Sequence, residues 1–290
     1  LVSRAQNSPL AKRLAERLGF GAMTVMTILT VIPIIAVVIY IVIQGAPAIN
    51  WTFLTQMPSD GMRAGGILPA IVGTFYLTLG TALFSVPLGI GAAIYLAEYA
   101  SENRWTRIIR IVIQILAGIP SVVYGLFGLG IFVISLKLGT SILAASLTLS
   151  IMTLPVIIST SEEALRAVPN SFRVVSTSLG ATRWQTVRRI VLPQSLPGIL
   201  TGVILGLERA AGETAPILFT GATFFLPQLP HSSLDATMAL PYHLFVISTQ
   251  VPGMPVEIQY GTALVLLVFV LGMNIIASVI RSRARAKRQW

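Results

Sequence analysis

The chain has 290 residues, 54% of them hydrophobic and only 10% charged, with a formal net charge of +10. An average soluble domain carries about 25% charged residues, so a soluble class fits poorly. The positive charge lies between and beyond long apolar runs, where membrane topology explains it better than nucleic-acid binding. With no cysteine, disulfides, thiolate chemistry and Cys-based metal sites are excluded together.

Stretches of nearly uncharged residues follow one another at roughly 20–44, 66–97, 108–136, 141–160, 197–220 and 257–280. Each is long enough to cross ~30 Å of hydrocarbon as a helix rising about 1.5 Å per residue. The expected fold is an all-α membrane protein with about six transmembrane helices over residues 20–280, between a segment 1–19 and a basic tail 281–290. The first stretch, Phe20–Ile43, exceeds the about 7–15 residue core of a signal peptide and is read as a retained span. The second, third and fifth contain Gly or Pro (Pro87, Gly89, Gly91, Gly118, Pro120), which membrane helices tolerate where neighbours re-satisfy the freed backbone groups. The clusters Gly89–Gly91 and Gly125–Gly128–Gly130 mark either close helix packing or kinks.

The distribution of Lys and Arg sets an orientation. The N-terminal segment, the second–third loop, the fourth–fifth loop and the tail hold 17 of the 20. Only Arg63 and Lys137 fall in the alternate loops, and Arg209 lies inside a span. The positive-inside rule puts both termini and the 161–196 loop in the cytoplasm, which an even number of spans requires. On the opposite side, Leu240–Val251 reads as a short helix lying at the interface. His231 and His243, with Asp235 as the only nearby acid, make a weak metal site, and none is expected.

The 161–196 loop is too long for a simple connector. A helical turn stops before Pro169, Asn170 or Ser171 can cap a new helix, and that helix ends at Gly180, a residue suited to a sharp turn. A second short helix follows, closed by Leu192-Pro193 before the fifth span begins near Pro197. The resulting knob displays Phe172, Trp184 and Val187 among Arg183, Arg188 and Arg189. Such a surface suits either a protein partner or anionic lipid. Gly180, nine further residues and then Ile190-Val191-Leu192-Pro193 resemble the G-x9-I-x-L-P half of the EAA loop of bacterial ABC importer permeases. The Glu-Ala-Ala positions of that motif are here Val174, Val175 and Ser176. The resemblance implies a type I importer permease fold with a cytoplasmic coupling helix that docks on an ATPase. Phe172, Gly180, Ala181, Thr182, Trp184, Val187, Arg188, Ile190, Leu192 and Pro193 would form the docking element. None of Lys12, Lys137 and Lys287 completes a G-x-x-x-x-G-K-[ST] loop, so hydrolysis belongs to another polypeptide and the chain itself is no enzyme.

Within the fifth span, LTGVILGLERAAGETAPILFTG carries Glu208, Arg209 and Glu213. A charge near the bilayer centre costs ~2.5–3.5 kcal/mol on insertion scales and calls for a partner or a water-filled path. Arg209 and Glu213 are four apart on one helical face and can pair, whereas Glu208 projects elsewhere. The pair either fixes helix packing or lines a path for an anion, because a guanidinium fork matches phosphate or carboxylate oxygens. Arg209–Pro216 (RAAGETAP), with Thr182–Thr186 (TRWQT), resembles phosphate-importer permeases of the PstA type. That resemblance implies Arg209, Glu213 and Thr214 as substrate-pathway residues. It also implies inorganic phosphate as substrate and a bacterial inner membrane location, and it leaves ATP and magnesium to the ATPase, with no cofactor on this chain. The implied partners are a PstC-like sister permease, two PstB-like ATPases, a PstS-like external phosphate-binding protein and membrane lipid, with no nucleic acid. The alternatives are a permease for another oxyanion, such as sulfate or molybdate, and an ion-coupled secondary transporter or channel.

Overall fold

The computed structural model describes the backbone of residues 9–286 and the side chains of residues 16–283. Arg4, Lys287 and Arg288 of the expected basic ends lie outside the described residues. Helix α1 (Pro9–Gly45) carries no charged residue from Leu18 to Ile43 and exposes apolar side chains along that length, as a lipid-facing span must. Its connection to the next span holds α2 (Trp51–Thr55), capped by Asn50, whose Oδ1 accepts a hydrogen bond from Phe53 N at 2.8 Å. Two short antiparallel strands follow, β1 (Pro58–Ser59) and β2 (Ala64–Gly65), with Pro58 opposite Gly65.

Helix α3 (Leu68–Ile94) continues into a π-helical turn at Tyr95–Tyr99. The third span departs from the single helix expected at 108–136: α4 (Arg104–Ala117) and α5 (Ser121–Gly128, prolonged by a π-helical stretch to Ser135) meet at 101°. Pro120 is the cause, because it has no N–H to give and holds the preceding residue out of helical geometry. Counting this bent pair once, the described residues contain six helical passages long and apolar enough to cross a membrane.

Helix α6 (Ile142–Arg166) packs along α3 and is the most buried span, with Leu149, Met152 and Ile157 fully enclosed. Its other long neighbour is α9 (Leu192–Gly212), which presents Gly198, Gly202 and Gly206 to it. A Cβ at Gly198 would come within 2.5 Å of Ala164 Cβ, and one at Gly206 within 3.0 Å of Ile157 Cγ1, so this four-residue spacing of glycines sets the helix separation. Of the glycine clusters anticipated from sequence, Gly89, Gly125 and Gly128 are close-packing sites, whereas Gly91 and Gly130 face open space. Hydroxyls along α3 (Thr74, Thr78, Thr81 and Ser85) bond carbonyls one turn back, which satisfies them without water.

Between α6 and α9 stand α7 (Asn170–Ser178) and α8 (Arg183–Thr186), joined by a bend at Gly180 with φ +82°. Pro169, rather than Asn170 or Ser171, occupies the cap of α7. The expected closure at Leu192-Pro193 does not occur, for α8 passes through a π-helical turn, Val187–Val191, straight into α9. Pro193 cannot donate to the carbonyl four residues back, and the wider turn absorbs that loss through Leu192 N bonding Val187 O. Residues Arg183–Gly212 thus form one continuous 30-residue helical rod.

The rod stops at Gly212, and α10 (Ala215–Thr220) starts with Pro216 in its first turn. Helix α11 (Leu240–Thr249) is the short helix expected over Leu240–Val251, and one face of it is held by the spans: Leu240, Tyr242, His243, Val246 and Ile247 are buried, and Leu240 N donates to Thr74 Oγ1 at 2.8 Å. Helix α12 (Val256–Ala286) returns alongside α1.

Candidate functional site

Two regions carry the sequence-predicted residues, one at each end of the Arg183–Gly212 rod. At the C-terminal end of the rod, Arg209 sits in the last turn of α9 and Glu213 is its C-cap, extended at φ −76° and ψ 136°. Arg209 Nε donates to Glu213 Oε1 at 3.3 Å. Among the described residues the two Nη groups of Arg209 have no partner, and the side chain is 37% exposed against 16% for Glu213. Glu213 borders a cavity of about 10 Å³ with Thr74 and Thr78 of α3 and Ala239 and Pro241 of the α11 region. Thr214 caps α10 through its backbone, its carbonyl accepting from Leu218 N at 3.1 Å. Glu208 takes no part in the pair, and its Oε1 is buried with no hydrogen-bond partner among the described residues. The two histidines do not converge on a metal site. His243 is buried, whereas His231 belongs to an exposed turn in which its N–H donates to Asp235 Oδ2 at 2.8 Å, and no group of three ligating side chains occurs among the described residues.

The other end of the rod is the knob. Thr182 and Gln185 form a reciprocal cap: Thr182 Oγ1 accepts from Gln185 N at 3.2 Å, and Gln185 Oε1 accepts from Thr182 N at 2.9 Å. Ser176 Oγ and Thr186 Oγ1, both buried, bond at 2.8 Å and clamp α7 to α8. Phe172, Val175, Leu179, Ala181 and Ile190 line an apolar groove of about 380 Å³. Trp184, Arg188 and Pro193 are exposed beside it. Val187 does not belong to this surface: it is 2% exposed, on the same buried side as its neighbour Thr186 at the end of α8. Leu179, outside the expected docking set, is the most exposed apolar side chain here at 84%.

Behind the knob lies an ionic assembly that sequence spacing did not reveal. Arg110 bonds Glu162 at 2.8 Å and Glu102 at 2.9 Å, and Arg166 bonds the same two carboxylates at 2.9 Å each. Two guanidinium hydrogen bonds, from Arg110 and then from Arg166, hold the Glu102 carboxyl down at about 2. Arg173 on α7 reaches Glu98 on the π-helical end of α3, with Nη2 2.6 Å from Oε1. The ends of the second, third and fourth spans and the knob therefore share one charged layer.

Comparison with known proteins agrees with this architecture. Residues 85–286 match the family described as "Binding-protein-dependent transport system inner membrane component". The chain is 32% identical over 280 residues to the probable ABC transporter permease protein YqgI of Bacillus subtilis, covering 92% of this chain and 95% of that protein. It is 34% identical over 244 residues to phosphate transport system permease protein PstA 1 of Mycobacterium tuberculosis, covering 82% and 77%. It is 33% identical to PstA of Pasteurella multocida, covering 82% and 84%. In fold it is similar to a chain of a bacterial alginate ABC transporter, with TM-score 0.68, 16% identity and coverage of 94% and 96%. A chain of the MetNI methionine ABC transporter superposes with TM-score 0.61 and 18% identity, covering 78% and 99%. A secondary transporter or channel gives way to this match, and an ABC importer permease works with a sister permease, separate ATPase subunits that hydrolyse ATP, and a substrate-binding protein. The chain belongs to the binding-protein-dependent transport system inner membrane component family, as a non-catalytic, membrane-embedded ABC importer permease with PstA phosphate-transport permeases among its relatives.

Proposed function

We propose that this chain is the PstA-type subunit of an ATP-driven phosphate importer in a bacterial inner membrane, both termini in the cytoplasm. Its partners are a PstC-like permease, two PstB-like ATPases that hold ATP and magnesium, and a PstS-like phosphate-binding protein outside. The observation that carries the reading is the state of Arg209: only its Nε is engaged, at 3.3 Å by Glu213, and its Nη fork has no partner among the described residues. A tetrahedral oxyanion offers that fork two oxygens at once, and Glu213 keeps the charge compensated when the anion leaves.

Trp184 and Arg209 stand on one rod, 25 residues apart in sequence, which is ~38 Å along a helix. The groove and Trp184 dock on the ATPase, and closure of the ATPases tilts the rod. The tilt changes the side of the membrane from which Arg209 is reached. Thr214 lies at the broken end, where Pro216 interrupts the helix, and a hydroxyl there gives a dehydrated anion a further donor.

The test is reconstitution of this chain with its sister and ATPase in vesicles, with the external binding protein and radiolabelled phosphate outside and ATP inside. ATP-dependent phosphate uptake that excess sulfate and molybdate leave intact supports the reading. Uptake of sulfate or molybdate in preference to phosphate would replace the substrate while keeping the transporter.

A further inference from the structure

The continuity of α8 with α9 gives the knob a direct tie to the fifth span, whereas the second and fourth spans reach α8 only through their packing on α9. Arg173 supplies a direct tie to them. Its Nε lies 3.2 Å from both Oε1 and Oε2 of Glu98, and its Nη2 lies 2.6 Å from Oε1. The same guanidinium donates from Nη1 to Val168 O at 2.7 Å and from Nη2 to Leu165 O at 2.9 Å. All three of its nitrogens are thus committed, to the end of α3 on one side and to the end of α6 on the other. Among the described residues Arg173 makes every side-chain hydrogen bond between α7 and these two spans.

Burial makes this contact firmer than a surface ion pair. The Arg173 side chain is 21% exposed and that of Glu98 is 9%, so solvent screens the pair weakly. A bidentate carboxylate and two carbonyls also fix the plane of the guanidinium, which a single flexible contact would not do. The span ends that Arg173 reaches are themselves stitched together, since Arg110 Nη2 donates to Leu96 O at 3.1 Å and Glu162 on α6 takes both Arg110 and Arg166. A displacement of α7 therefore has a stiff route into spans two, three and four.

We infer that Arg173 is a positioning residue for transport: by bridging Glu98 and the Leu165 and Val168 carbonyls, it makes the coupling helix and the inner ends of the second and fourth spans move as one body. This rests on the docking role proposed for the knob. ATPase binding and hydrolysis belong to the groove and Trp184, which Arg173 does not line. Transfer of that motion to the bundle belongs to Arg173.

The experiment uses the assembled transporter in vesicles and measures co-purified ATPase, ATP hydrolysis and phosphate uptake per ATP. In Arg173→Met the ATPase stays bound and hydrolysis continues, while uptake per ATP falls about tenfold. Glu98→Gln lowers the ratio less, because the carbonyl bonds survive. Arg173→Glu/Glu98→Arg restores part of what Arg173→Glu alone loses, and a merely structural role would lower bound ATPase and hydrolysis together with uptake, leaving the ratio unchanged. A substrate-independent measurement runs in parallel: spin labels at Ser101→Cys and Thr177→Cys, in a chain with no native cysteine, keep their separation when ATP and vanadate trap the complex, and change it in the Arg173→Met background. If wild-type vesicles take up no phosphate, the substrate reading fails and the label distance still decides this inference. An assembled Arg173→Met complex with wild-type uptake per ATP or a fixed label distance overturns it. If Arg173→Met does not assemble, Glu98→Gln with a wild-type ratio overturns it equally.

Discussion

Arg209 and Glu213 pair across a helix end: Nε lies 3.3 Å from Oε1, yet Arg209 is still helical and Glu213 is already extended. Pro216, in the first turn of α10, offers no N–H to the Gly212 carbonyl, so the α9 ladder cannot run on across Glu213 and a new helix starts at Ala215. The cation lies at the negative end of the α9 dipole, and the carboxylate leaves the helix toward Thr74 and Thr78.

The bend at Gly180 tests the docking role of the knob. Its φ of +82° lies in the left-handed region, and a Cβ there would meet nothing within 4 Å, so any effect of substitution is a backbone effect. For a β-branched residue that conformation costs about 1–3 kcal/mol. Gly180→Val is expected to lower both co-purified ATPase and uptake several-fold, while Gly180→Asn, which tolerates positive φ, retains most of each. Full ATPase recovery with Gly180→Val would remove the knob from the docking surface.

Topology has a direct chemical readout, since native cysteine is absent. Gly61→Cys lies beside the β1–β2 turn and Ser178→Cys at the end of α7. An impermeant thiol reagent applied outside intact cells is expected to label the first, and the second only after permeabilisation. The opposite pattern would invert the protein and put the knob out of reach of ATP.

Acid should loosen the charged layer in a definite window. Glu102 has its folded value lowered from 4.5 to about 2 by the hydrogen bonds of Arg110 and Arg166. The bound form is the carboxylate, so its contribution is fully present above pH 4.5 and is lost as pH falls toward 2. Thermal melts of the detergent-solubilised protein are expected to show a smaller acid-induced drop over that range in Glu102→Gln than in the wild type. Coincident profiles would mean that solvent screens the two bridges completely, since Glu102 is 67% exposed.

The spans, their number and the helix–glycine–helix knob are legible in the sequence because each depends on local features: hydropathy, proline placement and a residue needing positive φ. Two further local signals were present and passed over, namely T-x-x-Q at Thr182–Gln185, which became the reciprocal cap, and the glycines at 198, 202 and 206, which became the α6 contact. The burial of Val187 was not legible, because an apolar residue among arginines reads equally as part of a docking surface or of a buried face, and only the packing of the bundle decides between them. Nor was the charged layer, whose ties from Arg110 to Glu162 and from Arg173 to Glu98 join residues 52 and 75 apart. Only the bundle brings those groups together.

Radiolabelled phosphate uptake by Arg209→Gln, Arg209→Lys, Glu213→Gln and the Arg209→Gln/Glu213→Gln double variant, measured beside the yield of assembled complex, tests the central claim most directly. Arg209→Gln is expected to assemble and to lose most uptake, and Arg209→Lys to recover only part of it, because an ammonium lacks the planar fork. The double variant is expected to assemble and remain inactive. Were the pair only structural, Arg209→Gln would strand Glu213 at a cost of about 3–5 kcal/mol and lower the yield of complex, and the double variant would restore both yield and transport. Full transport by the double variant would contradict the account.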